Sequence, residues 1–262
     1  MTKKPTFKAI QNFETLIEEN ELFTQFSNSS LPDRYDSNYV SLHFSPTVEE
    51  FEILETIQKE YITYENTEQN HLKFVYPEDT GIRMDLFDYL NEQQYEIGKL
   101  ELMCAQPYSI EINNTNPSIS CEIITSDKLN DFLVLNYNDN KRISNEFADF
   151  SERVYRYQFD QPHSQFLLAR LDNKPVASLI LHISDDFIEI DGVLTDINYR
   201  KRGVASYMID YVMNHINQNE KPLILVADAE DTPKKLYQKL GFECISTQIS
   251  MEKVFSNKDF FL

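Results

Sequence analysis

The densest cluster of chemistry-bearing residues in this 262-residue chain is Arg200-Lys201-Arg202-Gly203-Val204-Ala205-Ser206. It follows a run that alternates like a strand and opens an amphipathic helical pattern. The first N–H groups of a helix have no internal acceptor, and the helix dipole adds about half a positive charge there, so such a start attracts anions. Gly203 and the small Ala205 let a phosphate approach the main chain closely, while Arg200 and Arg202 add charge. The plainer alternative is a basic surface turn before an ordinary helix. Just upstream, strand alternation over 188–195 sends Ile188, Ile190 and Leu194 to one face and Glu189, Asp191, Val193 and Thr195 to the other. Glu189 and Asp191 then lie about 6.7 Å apart on one face. Two carboxylates so placed could handle a proton, or could simply form a solvated acidic face. Gly192 beside them fits a β-bulge, or a glycine tolerated in a strand.

These residues need elements to hold them. From about residue 120 the pattern reads strand, helices, three strands, helix, strand, helix, strand. The strands are expected at 121–125, 166–171, 176–183, 187–195, 223–227 and 242–252. A tight turn at Asp172-Asn173-Lys174 joins the second and third. Val204, Met208, Val212 and Ile216 recur at i, i+4 along a helix expected to reach Gln218. Thr232-Pro233 reads as an N-cap with proline at the first helical position, and Gly241 as the left-handed cap that ends this later helix. The first 115 residues read as a smaller α/β unit. Thr47-Val48-Glu49-Glu50 is a capping box, opening a helix whose Phe51, Leu54, Ile57 and Tyr61 share a face. Strands are expected at 39–44, 71–76 and 95–104, with a short helix at 82–90. The polar, proline- and asparagine-rich stretch 106–120 is the linker candidate. The domains are accordingly expected at 1–115 and 116–262, each mixed α/β.

Composition narrows the function classes. With 24 Lys+Arg against 43 Asp+Glu the net charge is −19, which disfavours sequence-unspecific nucleic-acid binding and mildly favours cationic small partners. No apolar run is long enough to cross a bilayer, and the N-terminus lacks the apolar core of a secretory signal. Three cysteines without paired spacing suit a reducing cytoplasm and argue against a disulfide framework or zinc knuckle. The five histidines form no ligand pattern, so no metal is expected. Only five glycines occur where about 18 would be usual, and Gly192, Gly203 and Gly241 all sit at the ends of elements or at irregularities near the chemistry.

Two motifs together carry a resemblance. Arg200, Gly203 and Ala205 match the Arg/Gln-x-x-Gly-x-Gly/Ala hallmark of the GNAT superfamily of acyl-CoA-dependent N-acyltransferases, at the same strand-to-helix junction. Leu236-Tyr237-Gln238-Lys239-Leu240-Gly241-Phe242 resembles the family's later helix with its Tyr and terminal Gly-Phe. The resemblance covers slightly over half the chain and implies a central mixed sheet flanked by helices. It also implies that acetyl-CoA binds as cosubstrate, its pantetheine arm along the main chain of Val193, Leu194 and Thr195. Its pyrophosphate would lie on the N–H groups from Arg202 through Gly203, Val204 and Ala205 to Ser206, beside Arg200 and Lys201. Glu189 stands eleven residues before Arg200, where many members place a base, with Asp191 as the alternative. Tyr237 would be the acid, since a phenol of pKa near 10 is protonated at pH 7 and can serve a departing thiolate. Many members carry Asn seven residues before this tyrosine; Glu230 stands here, so that contact is not expected. The implied activity is N-acetylation of a small-molecule or peptide amine, without nucleic acid or membrane and compatible with a homodimer. The rival is a non-catalytic acyl-CoA-binding or protein-interaction module on the same fold.

Overall fold

Thr47 and Glu50 close a reciprocal cap, Glu50 N–H donating to Thr47 Oγ1 at 3.3 Å and Thr47 N–H to Glu50 Oε2 at 2.8 Å, as the capping box predicts. The structure, a computed structural model, describes residues 4–64, 68–107, 118–230 and 234–255. In chain order its elements are β1 (Thr15–Glu19), β2 (Phe23–Ser27), β3 (Tyr39–Leu42), α1 (Val48–Tyr64), β4 (His71–Val75), α2 (Met84–Glu92), β5 (Glu96–Ala105), β6 (Ile119–Ile123), α3 (Leu129–Asn140), α4 (Asn145–Phe159), β7 (Ser164–Leu171), β8 (Lys174–Ile183), β9 (Ile188–Thr195), α5 (Val204–Tyr211), β10 (Leu223–Asp228), α6 (Lys234–Lys239) and β11 (Glu243–Val254).

The chain divides into two compact units, neither continuous in sequence. One comprises Gln11–Leu102, Ala227–Asp231 and Ile245–Leu262; the other comprises Met1–Ile10, Met103–Val226 and Thr232–Cys244. The boundary expected at 115/116, most of the linker candidate and the Thr232-Pro233 cap lie outside the described residues.

In the first unit β1, β2 and β3 form an antiparallel series, β3 pairs parallel with β4, and β11 returns antiparallel to β4 with Ser250 opposite Val75 and Val254 opposite His71. Strand β1 carries no alternation signal because all five of its residues are exposed. Fully buried Phe51, Leu72, Phe74, Tyr76, Leu86 and Leu90 form the core. The buried face of α1 is rotated from the expected one: Phe51, Leu54, Glu55, Gln58 and Ile62 are buried, while Ile57 is exposed. Glu55 can sit inside because the Tyr95 hydroxyl donates to its Oε1 at 2.7 Å and the Tyr89 hydroxyl to its Oε2 at 3.2 Å. A buried carboxylate so satisfied avoids most of the cost of losing water.

In the second unit β6, β7, β8 and β9 form an antiparallel meander, and β10 adds to β9 in parallel. The β7–β8 hairpin turns on Asp172 and Asn173, both left-handed at φ 51° and 64°. Those are the residue types and signs that a two-residue turn between twisted strands requires. Phe132 of α3 and Phe159 of α4 pack their rings on Phe166 of β7, at 4.7 and 5.3 Å between centroids. Helix α5 buries Val204, Met208 and Ile209. It then widens into a π turn over Val212–Ile216, with Asn217 N–H donating to Val212 O at 2.8 Å. The expected i, i+4 stripe therefore holds through Val212, and the wider turn brings Ile216 partly into solvent.

Candidate active site

Strand β9 organises the site. Its pairing with β8 shifts register between Ser178 and Ile180, where Ser178 faces Leu194 but Ile180 faces Asp191. One extra residue on β9 is thus accommodated as a bulge at Gly192 and Val193, and Gly192 takes φ 57°. Left-handed φ is open to glycine at little cost. The bulge corrects the expected alternation. Glu189 and Asp191 share a face, but Leu194 joins them on the side packed by Phe166 and Ile180 instead of following Ile188 and Ile190. An inserted residue reverses the period-2 pattern beyond it.

On its other edge β9 pairs with β10 only through Ile188 with Leu223 and Glu189 with Ile224. Both strands continue past that point, to Thr195 and Asp228. The later part of β9, including Val193, Leu194 and Thr195, therefore runs beyond its registered pairing with β10, and a ligand that hydrogen-bonds like a strand can lie along it.

The basic turn follows. Asp196 caps a single 3-10 turn, its Oδ1 accepting from Asn198 N–H at 2.8 Å. Arg200 is not a loose charge: its Nε donates to Thr195 O at 2.9 Å, and its Nη2 lies 3.8 Å from Asp139 Oδ1. Lys201 is left-handed at φ 61°. Arg202 is exposed, its guanidinium 5.2 Å from the centre of the Tyr199 ring. Gly203 takes φ 78°, ψ 8° as the N-cap of α5. Val204 is buried and anchors the helix start, while Ala205 and Ser206 are half-buried. The arrangement sets an exposed glycine and three exposed cations, one of them tied to Thr195 O, at the positive end of a helix, which is a place for an anion.

Tyr237 sits in the middle of α6, 8 % exposed, its ring edge-on to Phe242 at 5.9 Å. Gly241, at φ 89°, ends the helix in a Schellman pattern, with Phe242 N–H on Tyr237 O at 3.0 Å and Gly241 N–H on Gln238 O at 3.2 Å. Glu230 donates its N–H to Asp228 Oδ1 in the turn after β10. Around the carboxylate pair the structure gathers side chains that spacing did not mark. Gln158 of α4 and His182 of β8 meet Asp191, and Ser164 of β7 meets His182. Their signal in the sequence is weak, because each comes from a different element. Among the described residues no group of three His, Cys, Asp or Glu could hold a metal ion.

Residues 134–242 match the family model described as acetyltransferase (GNAT) family. This segment is a GNAT-family domain. Residues 6–103 match a second model, a domain of unknown function termed DUF5613. The whole chain is similar to a functionally unknown conserved protein from Staphylococcus epidermidis ATCC 12228, with a TM-score of 0.88, 24% identity, and coverage of 97% of this chain and 99% of that one. A GCN5-related N-acetyltransferase from Kribbella flavida shares the fold at TM-score 0.60 and 15% identity, over 94% of this chain and 91% of that one. Another from Sphaerobacter thermophilus gives 0.57 and 11%, over 91% and 82%. No curated protein matches the chain. Strands β9 and β10, the glycine-started α5 and the Tyr237 helix all lie within the GNAT-matched segment. Among the described residues no helix is long and apolar enough to cross a membrane.

Proposed function

We propose that the protein is an N-acetyltransferase that moves an acetyl group from acetyl-CoA to a primary amine by direct attack in a ternary complex. The observation that carries this reading is the short pairing of β9 with β10, which ends at Glu189 and Ile224 ahead of a helix that starts on a left-handed glycine among basic residues. A strand edge followed by helix N–H groups suits a ligand that is peptide-like along one part and anionic along another. The residues therefore fit acetyl-CoA. Val193, Leu194 and Thr195 would hold its pantetheine arm, and the N–H groups from Arg202 to Ser206 its pyrophosphate, with Lys201 and Arg202 adding charge. Thr195 O, already taken by Arg200, helps to set the turn.

Bound acetyl-CoA supplies an acetyl thioester as the electrophile. The acceptor must lose a proton before it can attack. For a lysine-like amine at pH 7 that costs roughly 4.6 kcal/mol. Glu189 or Asp191 accepts this proton through water. A main-chain N–H of β9 steadies the developing oxyanion. Tyr237 gives its phenolic proton to the sulfur as the carbon–sulfur bond breaks, and regains one from solvent. The net charge of −19 favours cationic acceptors, whether small molecules or peptides. Three cysteines without paired spacing suit a reducing cytoplasm as the place of the reaction.

The test is release of free thiol from acetyl-CoA over a panel of amines, with mass spectrometry of the products. Amine-dependent thiol release with an acetylated amine is expected. Binding of CoA without thiol release on any amine would point instead to a binding module on this fold.

A further inference from the structure

Asp191 is anchored from several elements at once. Its Oδ1 accepts from Gly192 N–H at 2.7 Å, and its Oδ2 from Gln158 Nε2 of α4 at 3.4 Å. His182 Nε2 of β8 packs 3.5 Å from the same Oδ2, within ion-pair distance but without hydrogen-bond geometry. Behind the imidazole, Ser164 Oγ of β7 is 3.0 Å from His182 Nδ1. A neutral imidazole donates from one nitrogen and accepts at the other. A carboxylate at Nε2 can only accept, whereas a hydroxyl at Nδ1 can donate. When Ser164 donates to Nδ1, the imidazole carries its proton on Nε2, the nitrogen nearest Asp191. The same logic orients metal-bound and catalytic histidines through the partner on their far nitrogen.

Burial separates the two carboxylates of β9. Glu189 is 6 % exposed, opposite His182 in the β8–β9 register. The Asp191 side chain keeps 38 % of its surface, and His182 is buried at 5 %. Asp191 directly precedes the bulge and lies beyond the last registered pair of β9 with β10. It is thus oriented by Gly192 N–H and Gln158 Nε2, and reachable. Gln158 contributes a second acceptor: its Oε1 is buried without a hydrogen-bond partner, while its Nε2 serves Asp191.

We propose that Asp191, in preference to Glu189, receives the acceptor's ammonium group, and that His182, locked by Ser164, is the positioning residue that aims it. The proposal rests on the acetyltransferase reading above and gives the acceptor a class: an amine that arrives protonated and presents N–H donors to a carboxylate. Asp191 accepts the hydrogen bond and His182 acts through it.

Thiol release by the full chain with spermidine, kanamycin and triglycine as acceptors tests it. Asp191→Asn keeps the shape and removes the charge. The acceptor KM is expected to rise about 10- to 100-fold, as for loss of a charge-assisted hydrogen bond, with the acetyl-CoA KM unmoved and a larger rise than Glu189→Gln gives. His182→Phe should raise the acceptor KM in the same direction, and His182→Gln, which retains a donor, should recover most of the loss. Independently of activity, ¹⁵N shifts of the imidazole in the intact protein should report the Nε2-protonated tautomer. An unchanged acceptor KM in Asp191→Asn, a larger effect from Glu189→Gln, or an Nδ1-protonated imidazole overturns the proposal while leaving the acetyltransferase reading standing. A wild-type chain that binds CoA but releases no thiol with any amine overturns that reading, and the proposal with it.

Discussion

Replacing Gly203 by Asn and by Asp probes the anion site with two side chains of nearly equal size and different charge. Gly203 is left-handed at φ 78° and exposed at the start of α5. A side chain there pays for the left-handed backbone by about 1 kcal/mol, with Asn and Asp among the better tolerated residues. Both variants should therefore melt about 2–4 °C lower than the parent. Asp gains slightly from the helix dipole, so its stability should not fall below that of Asn. The charge acts on the ligand. One negative charge about 5 Å from a phosphate charge costs about 1 kcal/mol at the dielectric of water and about 3 kcal/mol at an effective dielectric near 20. CoA should then bind the Asp variant about 5- to 150-fold more weakly than the Asn variant, and the gap should shrink in 0.5 M salt as the charges are screened. Calorimetric titration of CoA into the two proteins reads this difference. Equal affinities would mean that no phosphate lies at the start of α5, and the reasoning from the helix terminus would fail.

Tyr237→Phe should lower kcat about 100-fold while leaving the Kd of acetyl-CoA unchanged and stability within about 1 kcal/mol, since the ring against Phe242 remains; a parental kcat on a productive acceptor would reduce Tyr237 to a core aromatic. His71 should make the first unit acid-sensitive. Burial, with the Lys73 ammonium nearby, pushes its pKa down to about 4, its Nε2 donates to Asn38 O at 3.1 Å, and its buried Nδ1 has no partner to receive a second proton. The folded state thus resists a proton that the unfolded chain accepts below about 6.5, so this contribution is present above that pH and is lost as pH falls towards 4, by about 3 kcal/mol in full. Urea unfolding at pH 7 and pH 4.5 should show a steeper loss for the parent than for His71→Gln; equal losses would remove His71 as the cause. Ser144→Ala should cost about 1 kcal/mol by urea unfolding, because Ser144 Oγ accepts from Phe147 N–H at 3.0 Å at the start of α4; an unchanged midpoint would show that the cap contributes nothing.

Several features were legible because their partners lie a few residues apart. The Thr47–Glu50 box, the Asp172-Asn173 turn, the Gly241 terminator and the Gly203 helix start are each settled by a backbone conformation or a hydrogen bond within five residues. Others depend on what comes from elsewhere. The rotated face of α1 places Glu55 inside because the Tyr95 and Tyr89 hydroxyls reach it from 40 and 34 residues away. Residue spacing alone pointed to Phe51, Leu54, Ile57 and Tyr61, since a carboxylate carries no apolar signal. Strand β1, exposed along its whole length, offers no period to read.

At the candidate site the same division holds. Period, residue type and local backbone preference suffice for the order of elements in the second unit, the bulge-prone Gly192, the basic helix start and the placing of Glu189, Asp191 and Tyr237 on their elements. Tertiary structure decided which way Leu194 points, where the pairing of β9 with β10 ends, that Arg200 is tied to Thr195, and that Asp191 stays reachable while Glu189 is buried. It also brought Gln158, Ser164 and His182 around Asp191 from three elements, 33, 27 and 9 residues distant in sequence. The physical reason is that one inserted residue in a strand reverses every side chain beyond it, and a polar group's partners across a sheet depend on strand register, which is set by packing over the whole unit and not by any local run of residues.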